Sequence, residues 1–279
     1  MGLKIMCELF ALSSNKPVTL TVSLQALARH GRSDGPYKDG WGVAYYEQTD
    51  VRLIKDATAA SESEWVRFIE GHRVCSTLIM SHLRKATQGT RTYSNTQPFV
   101  RELGGRMHIF AHNGNLNGLK GTFGDLPDRY HPVGDTDSEW AFCALLDQMA
   151  DLWADSAKVP ELSQRMALVV GFARKLRPLG PANFIYGDGD TFFAHGDRRT
   201  QTSGAVNPPG LCVLERRCNV PDGGADGGGI SVDGLALELG QQKIALVASV
   251  PLTNEAWRPL DQGEVIALRD GLIVVTLQG

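Results

Sequence analysis

The stretch "MGLKIMCELFALSS" (residues 1–14) sets a cysteine directly behind a second methionine and ahead of a short apolar run. Cys7 has two readings. It is a small apolar side chain buried in a strand, the commoner fate of a free cysteine, or it is a nucleophile exposed by removal of what precedes it. In the second case its own α-amino group becomes part of the chemistry.

The chain has 279 residues, 42% of them hydrophobic, enough to bury a substantial core as one domain over 1–279. Net charge is −3, and the lysines and arginines are scattered singly or in pairs such as Arg198-Arg199 and Arg216-Arg217. Without a basic stripe, nucleic acid and anionic membranes are poor partners, and a small polar or zwitterionic substrate suits the balance better. No run approaches the roughly 18 apolar residues that span a bilayer, and no secretory segment opens the chain. Cys7, Cys75, Cys143, Cys212 and Cys218 are odd in number with no C-x-x-C spacing, which reads as reduced thiols in the cytoplasm. Cys75 and Cys143 lie in apolar runs and read as core. No two histidines sit at i, i+4 with a carboxylate, so neither a metal nor a cofactor is expected.

Strand-like and helix-like stretches follow one another without strict alternation. Residues 7–14 read as a strand, and "LTVSLQALARHG" (20–31) has helical spacing. "WGVAYYEQ" and "VRLIKDA" form a hairpin signal. "SESEWVRFIEG" reads as a helix with Ser61 as N-cap and Glu64 three residues on. "CSTLIMSHL" and "RMHIFAHNG" are buried strands that deliver polar residues at their ends. "DTDSEWAFCALLDQMADLW" is an amphipathic helix opened by Asp and Ser in capping positions. "VPELSQRMALVVGFARKLRPLG" is a second helix, with Pro160 near its start and Pro178 and Gly180 at its end. Strands fill the remainder, interrupted by the loops "RTQTSGAVNPPG" and "PDGGADGGGI". Many strands around a few helices imply two sheets layered with helices, an α+β arrangement.

Four segments carry chemistry together: Cys7, "SHLRKATQG" (81–89), "AHNGNLNG" (111–118) and "GDTDSE" (134–139). Singly, each has an ordinary explanation: a strand cysteine, a solvated arginine, an Asn-Gly turn, a helix cap. Jointly they supply what cleavage of an amide needs. A free α-amino group on Cys7, with an ordinary pKa of about 8, can take the thiol proton. The Asn113 side chain and the Gly114 N–H can donate to an oxyanion, glycine allowing close approach. Arg84 can pair with an α-carboxylate and Asp137 with an α-ammonium.

These segments resemble the class II glutamine amidotransferases, which are N-terminal-nucleophile hydrolases. The resemblance runs through Cys7, the R-x-A-T pattern at 84–87, "HNG" at 112–114 and "TDSE" at 136–139. It extends to "KDGWG" (38–42), "NTQPF" (95–99) and "PLTNEAWRPLDQGE" near the C-terminus, and is strongest over 7–145. It implies a four-layer αββα sandwich and hydrolysis of the γ-amide of glutamine through a γ-glutamyl thioester on Cys7. It also implies that Arg84 and Thr87 hold the substrate carboxylate, Asp137 the α-amino group, and Asn113 with Gly114 the oxyanion. Lys85 stands where the large synthases commonly carry Trp, Gln88 where His is frequent, and Gln97 in place of the His of Asn-x-His-Pro. Little chain remains for an acceptor domain, which resembles the small stand-alone branch. Free glutamine and larger γ-glutamyl compounds both fit that branch.

Three functions follow. The first is hydrolysis of a γ-glutamyl amide by an N-terminal Cys7. The second is a glutaminase subunit that feeds ammonia to a separate synthetase. The third is a non-catalytic γ-glutamyl-binding protein, favoured if "MGLKIM" stays attached. On the first reading residues 1–6 are a leader to be removed or a start placed upstream of Met6. A homodimer is compatible with all three. His82 and His112 end strands beside the site, yet an α-amino base makes a Cys–His dyad unnecessary, so they read as supporting residues.

Overall fold

The structure, a computed structural model, describes residues 7–20, 38–72, 74–86, 89–126, 128–156, 158–201, 203–220, 230–232, 235–237 and 240–279. The helix expected over 20–31 and most of the second glycine-rich loop lie outside these residues, as does Thr87.

The strand behind Cys7 is longer than the apolar run suggests. β1 (Glu8–Leu20) continues past Ser14 and stays paired through an irregularity between Ser13 and Val18. Its partners are β4 (Cys75–Leu83) on one side and β14 (Gly240–Ala248) on the other. Sequentially remote strands thus flank it, and it occupies the middle of a sheet. The hairpin β2 (Trp41–Glu47) and β3 (Asp50–Asp56) extends the sheet beyond β4. Beyond β14 lie β11 (Cys212–Val220) and the short β15 (Arg258–Pro259). The small strands β12 (Ile230–Val232) and β13 (Leu235–Leu237) pair with each other, and β13 joins the far end of β1.

A second sheet of six strands runs in the order β17 (Leu272–Gln278), β16 (Glu264–Arg269), β8 (Phe192–His195), β7 (Ala182–Gly187), β6 (Arg106–Gly114), β5 (Phe99–Leu103). All of its pairings are antiparallel.

Alternation along the strands sorts the side chains into three cores. Leu9 and Ala11 of β1 and Met80 of β4 meet Ile109 and Ala111 of β6 and Ile185 of β7 between the two sheets. Phe10, Leu12 and Ile79 point the other way and pack under Val66 and Ile69 of α1 (Glu64–His72). On the opposite outer face, Phe110, Phe184 and Phe193 pack under α3 (Asp137–Met149) and α4 (Leu162–Leu176). α2 (Leu119–Phe123) joins that layer through Leu119. The order helix, sheet, sheet, helix is the four-layer αββα sandwich expected. Glycine serves one close approach here: a Cβ on Gly114 would overlap the carbonyl oxygen of Pro181, so β6 can end against the loop before β7 only with glycine at that position.

Several local expectations need correction. Ser61 does not cap α1. It sits in a 3-10 turn over Ala60–Glu62, and the α-helix begins at Glu64, while Ser63 donates to Asp56. α3 is capped by Thr136, whose hydroxyl accepts from the Glu139 N–H at 3.3 Å, and not by Asp or Ser; that leaves the Asp137 carboxylate free for other partners. Asn113-Gly114 is no turn but the last paired step of β6, opposite Asn183 and Ala182. Cys75, expected in the core, is exposed at the start of β4, whereas Cys143 is buried. The first glycine-rich loop carries a two-rung ladder between β9 (Arg199–Thr200) and β10 (Val206–Asn207).

Candidate active site

Cys7 precedes β1 in step with Leu9 and Ala11, so alternation sets it on the face between the sheets, at their end. Its thiol lies against the chain just after β4: Sγ accepts from the Lys85 N–H at 3.1 Å and lies 3.3 Å from the Lys85 carbonyl oxygen as donor. Burial pushes the Cys7 thiol up to about 11, against the lowering effect of the Lys85 N–H and the Arg84 cation. At neutral pH the sulfur is therefore a thiol and needs a base to become a nucleophile.

Among the described residues no histidine is bonded to that sulfur. His112 accepts or donates through Nδ1 with Ser138 Oγ at 2.9 Å, and its Nε2 is 3.2 Å from the Pro181 carbonyl. A carbonyl can only accept, so Nε2 carries the proton and Ser138 donates to Nδ1. Burial lowers the pKa of His112 and takes that of His82 down to about 3, so both rings are neutral. Neither ring nitrogen of His82 has a partner among the described residues.

A narrow cleft of about 20 Å³ is lined by Cys7, Arg84, Gln97, Gly114 and Asp137, among others. Four of the six expected residues thus share one small space. Asp137, the first residue of α3, accepts from the Leu116 N–H at 2.6 Å and from the Ser138 N–H at 2.9 Å. A cavity of about 380 Å³ adjoins the cleft, and Thr136 and Asp137 line both.

Arg84 lines the cleft, but its guanidinium is also bonded to the chain. It donates to the carbonyls of Thr90 (3.1 Å), Asp39 (3.4 Å) and Gly89 (3.4 Å), organising the loop that follows β4. Asp39 strengthens the same loop by accepting from the Ala86 N–H at 2.9 Å. Asn113 is fully buried and does not line the cleft. Its amide donates to the carbonyl oxygen of Cys7 and, at 3.4 Å, to Ser249 Oγ, while its Oδ1 has no partner among the described residues.

Two supporting residues, whose roles the sequence leaves open, come from the "NTQPF" segment. Gln97 accepts from the His112 N–H at 2.6 Å and so ties the segment before β5 to the end of β6. Asn95 bridges the two substrate-side segments: it donates to the Thr90 carbonyl and to Asp135, and accepts from the Asp135 N–H at 2.9 Å. The "NTQPF" motif was the available signal for both. Among the described residues no three His, Cys, Asp or Glu side chains converge as a metal site would require, and no helix is long and apolar enough to cross a membrane.

A cysteine at the head of a central strand, set between two antiparallel sheets in an αββα sandwich, defines a class of protein, and the family comparison gives the same answer. The model of the class II glutamine amidotransferases matches residues 6–279, and the chain belongs to that family. It is 31% identical over 264 residues to the glutamine amidotransferase homologue YafJ of Escherichia coli, covering 93% of this chain and 96% of that one. The structure of a glutamine amidotransferase homologue from Pseudomonas aeruginosa superposes with a TM-score of 0.68 at 30% identity, over 96% of this chain and all of that one. Glutamine phosphoribosylpyrophosphate amidotransferase from B. subtilis shares the fold at a TM-score of 0.57 and 15% identity, over 98% of this chain and 49% of that one.

Proposed function

We propose that the protein hydrolyses the γ-amide of glutamine or of a γ-glutamyl compound, with Cys7 as an amino-terminal nucleophile. The observation that carries this reading is the placement of the Cys7 thiol. It is half-buried, its pKa is raised, it is held by the Lys85 main chain and it has no histidine bonded to it among the described residues, so the base is assigned to the α-amine that removal of residues 1–6 creates.

In the first half-reaction the α-amine takes the thiol proton and Sγ adds to the γ-carbonyl carbon. The oxyanion is received by the Gly114 N–H and the Asn113 amide. Asn113 directs its two N–H donors to the Cys7 carbonyl and to Ser249 Oγ, and the second, long at 3.4 Å, can be shared with the oxyanion while Ser249 keeps its hold on the amide. The tetrahedral adduct then collapses, the amide nitrogen leaves as ammonia or an amine with the proton from the α-ammonium, and a γ-glutamyl thioester remains. Water, deprotonated by the same amine, adds to the thioester and releases glutamate and the thiol.

The amino-acid head group is assigned to Asp137 for the α-ammonium and to Arg84 with Thr87 for the α-carboxylate. The two cavities that meet at Asp137 support this. The wide one gives the head group a mouth, and the narrow one admits only the slim side chain to Cys7. Release of glutamate from glutamine and from γ-glutamyl amides of several amines, by the wild-type protein and by Cys7→Ala, tests the reading. Turnover with at least one of these and none with Cys7→Ala is expected. Undiminished turnover by Cys7→Ala refutes it.

A further inference from the structure

Ser249, the residue immediately after β14, sits between the two groups this chemistry depends on. Register puts it opposite Leu9, two residues beyond the nucleophile: its N–H donates to the Leu9 carbonyl at 3.0 Å and its hydroxyl oxygen accepts from the Leu9 N–H at 2.9 Å. The same oxygen receives the Asn113 amide at 3.4 Å. Ser249 is 4% exposed, so these are bonds made away from water. Two donors occupy both lone pairs of the hydroxyl, which leaves its own proton free to be given away.

Ser249 is itself held. Its carbonyl oxygen accepts from Nη1 of Arg199, a guanidinium 6% exposed, with no carboxylate within ion-pair distance among the described residues and with Nε unpartnered. A buried cation without a counter-charge is costly to keep. The chain bears that cost to anchor one carbonyl, at the point where the central strand and the Asn113 amide meet.

We infer that Ser249 is a positioning residue of the reaction: it fixes the start of β1 and the Asn113 amide relative to each other, and thereby the Cys7 α-amine relative to its thiol and the oxyanion site. Arg199 acts through Ser249 by clamping its main chain. The assignment rests on the amino-terminal mechanism proposed above. Asn113 Oδ1, buried without a partner among the described residues, and the free Ser249 proton are the acceptor and donor left in this group.

The experiment compares wild type, Ser249→Ala, Ser249→Thr and Arg199→Gln, each confirmed by mass to begin at Cys7 and by thermal melting to be folded. Two readouts are taken: steady-state kinetics with the best γ-glutamyl amide, and the pH dependence of Cys7 alkylation by iodoacetamide, which needs no turnover. Ser249→Ala is expected to lower kcat by about 10- to 100-fold with KM within about twofold. It is expected to slow Cys7 alkylation by about tenfold at neutral pH, since a base out of line no longer takes the thiol proton. Ser249→Thr, which keeps the hydroxyl, should recover most of both, and Arg199→Gln should show the same pattern more weakly.

If Ser249→Ala keeps kcat and the alkylation profile of the wild type, the inference falls. If Ser249→Thr does not fold, Arg199→Gln with unchanged kinetics and alkylation overturns it in the same way. A protein that turns over no γ-glutamyl amide sinks the proposed function instead, and alkylation alone then decides the role of Ser249.

Discussion

The two ends of β7 bury polar groups to opposite purposes. Beyond its C-terminal end, Asp188 and Asp190 face Arg165 of α4 at 2.7 and 2.8 Å, Thr191 adds its hydroxyl at 2.8 Å, and Asp188 also accepts from the Thr191 N–H at 2.9 Å. Of that cluster only Arg165 Nε lacks a partner among the described residues. At the N-terminal end, beside Ala182 and Asn183, the tally reverses: Asn113 Oδ1, both nitrogens of His82, His195 Nε2 and Arg199 Nε are all buried without partners among the described residues. A saturated cluster ties a helix to a sheet. An unsaturated one keeps donors and acceptors available, and on the proposed mechanism these receive a substrate and a new amino terminus.

Breaking the saturated end should have the largest effect on stability. Asp188→Ala leaves Arg165 buried and unpaired, and should cost about 3–5 kcal/mol in denaturant unfolding, with KM unchanged in whatever protein remains folded. A loss under 1 kcal/mol would mean that the ion cluster is not what joins α4 to the sheet. At the unsaturated end the effects exchange places. Asn113→Ala should lower kcat by about 10²–10³-fold with a smaller cost in stability, about 1–3 kcal/mol, since its amide donates to the Cys7 carbonyl and to Ser249 and leaves both short of a donor.

The smallest effect sharpens the comparison through pH. Burial raises the pKa of Asp190, but the bonds from Arg165 and Thr191 outweigh it and hold the carboxyl below its usual value. A carboxyl with a depressed folded pKa contributes stability above its unfolded pKa of about 3.9 and loses it as pH falls through the folded value. Asp190→Asn should thus cost roughly 1 kcal/mol at pH 7, discounted for partial exposure, and less at pH 2. Unfolding curves at the two pH values check it, and an equal cost at both would remove the charge from the explanation.

Much of the sandwich was legible in the sequence because hydrophobic alternation over "CSTLIMSHL" and "RMHIFAHNG" reports a buried strand whatever its neighbours. Cys7, Arg84, Gly114 and Asp137 were legible as residue types that amide chemistry needs, in an order that resembles a family. What stayed hidden was made by pairing. Nothing local says that β1 runs on to Leu20, that Asn113 belongs to a strand and not a turn, or that Cys75 is at an exposed strand start. Those follow from which strands lie alongside. Ser249 and Arg199 carry no motif, and become visible only when β14 is laid against β1 with Leu9 opposite Ser249.

The central claim, that the base is the α-amine of Cys7, has a direct test in two proteins that differ only at their amino terminus. One begins at Cys7; the other keeps residues 1–6 behind a Met6→Pro change that blocks processing, the mass of each verified before and after the assay. The account predicts release of glutamate from a γ-glutamyl amide by the first and none by the second. Equal turnover by the protein that retains all six leading residues would contradict it.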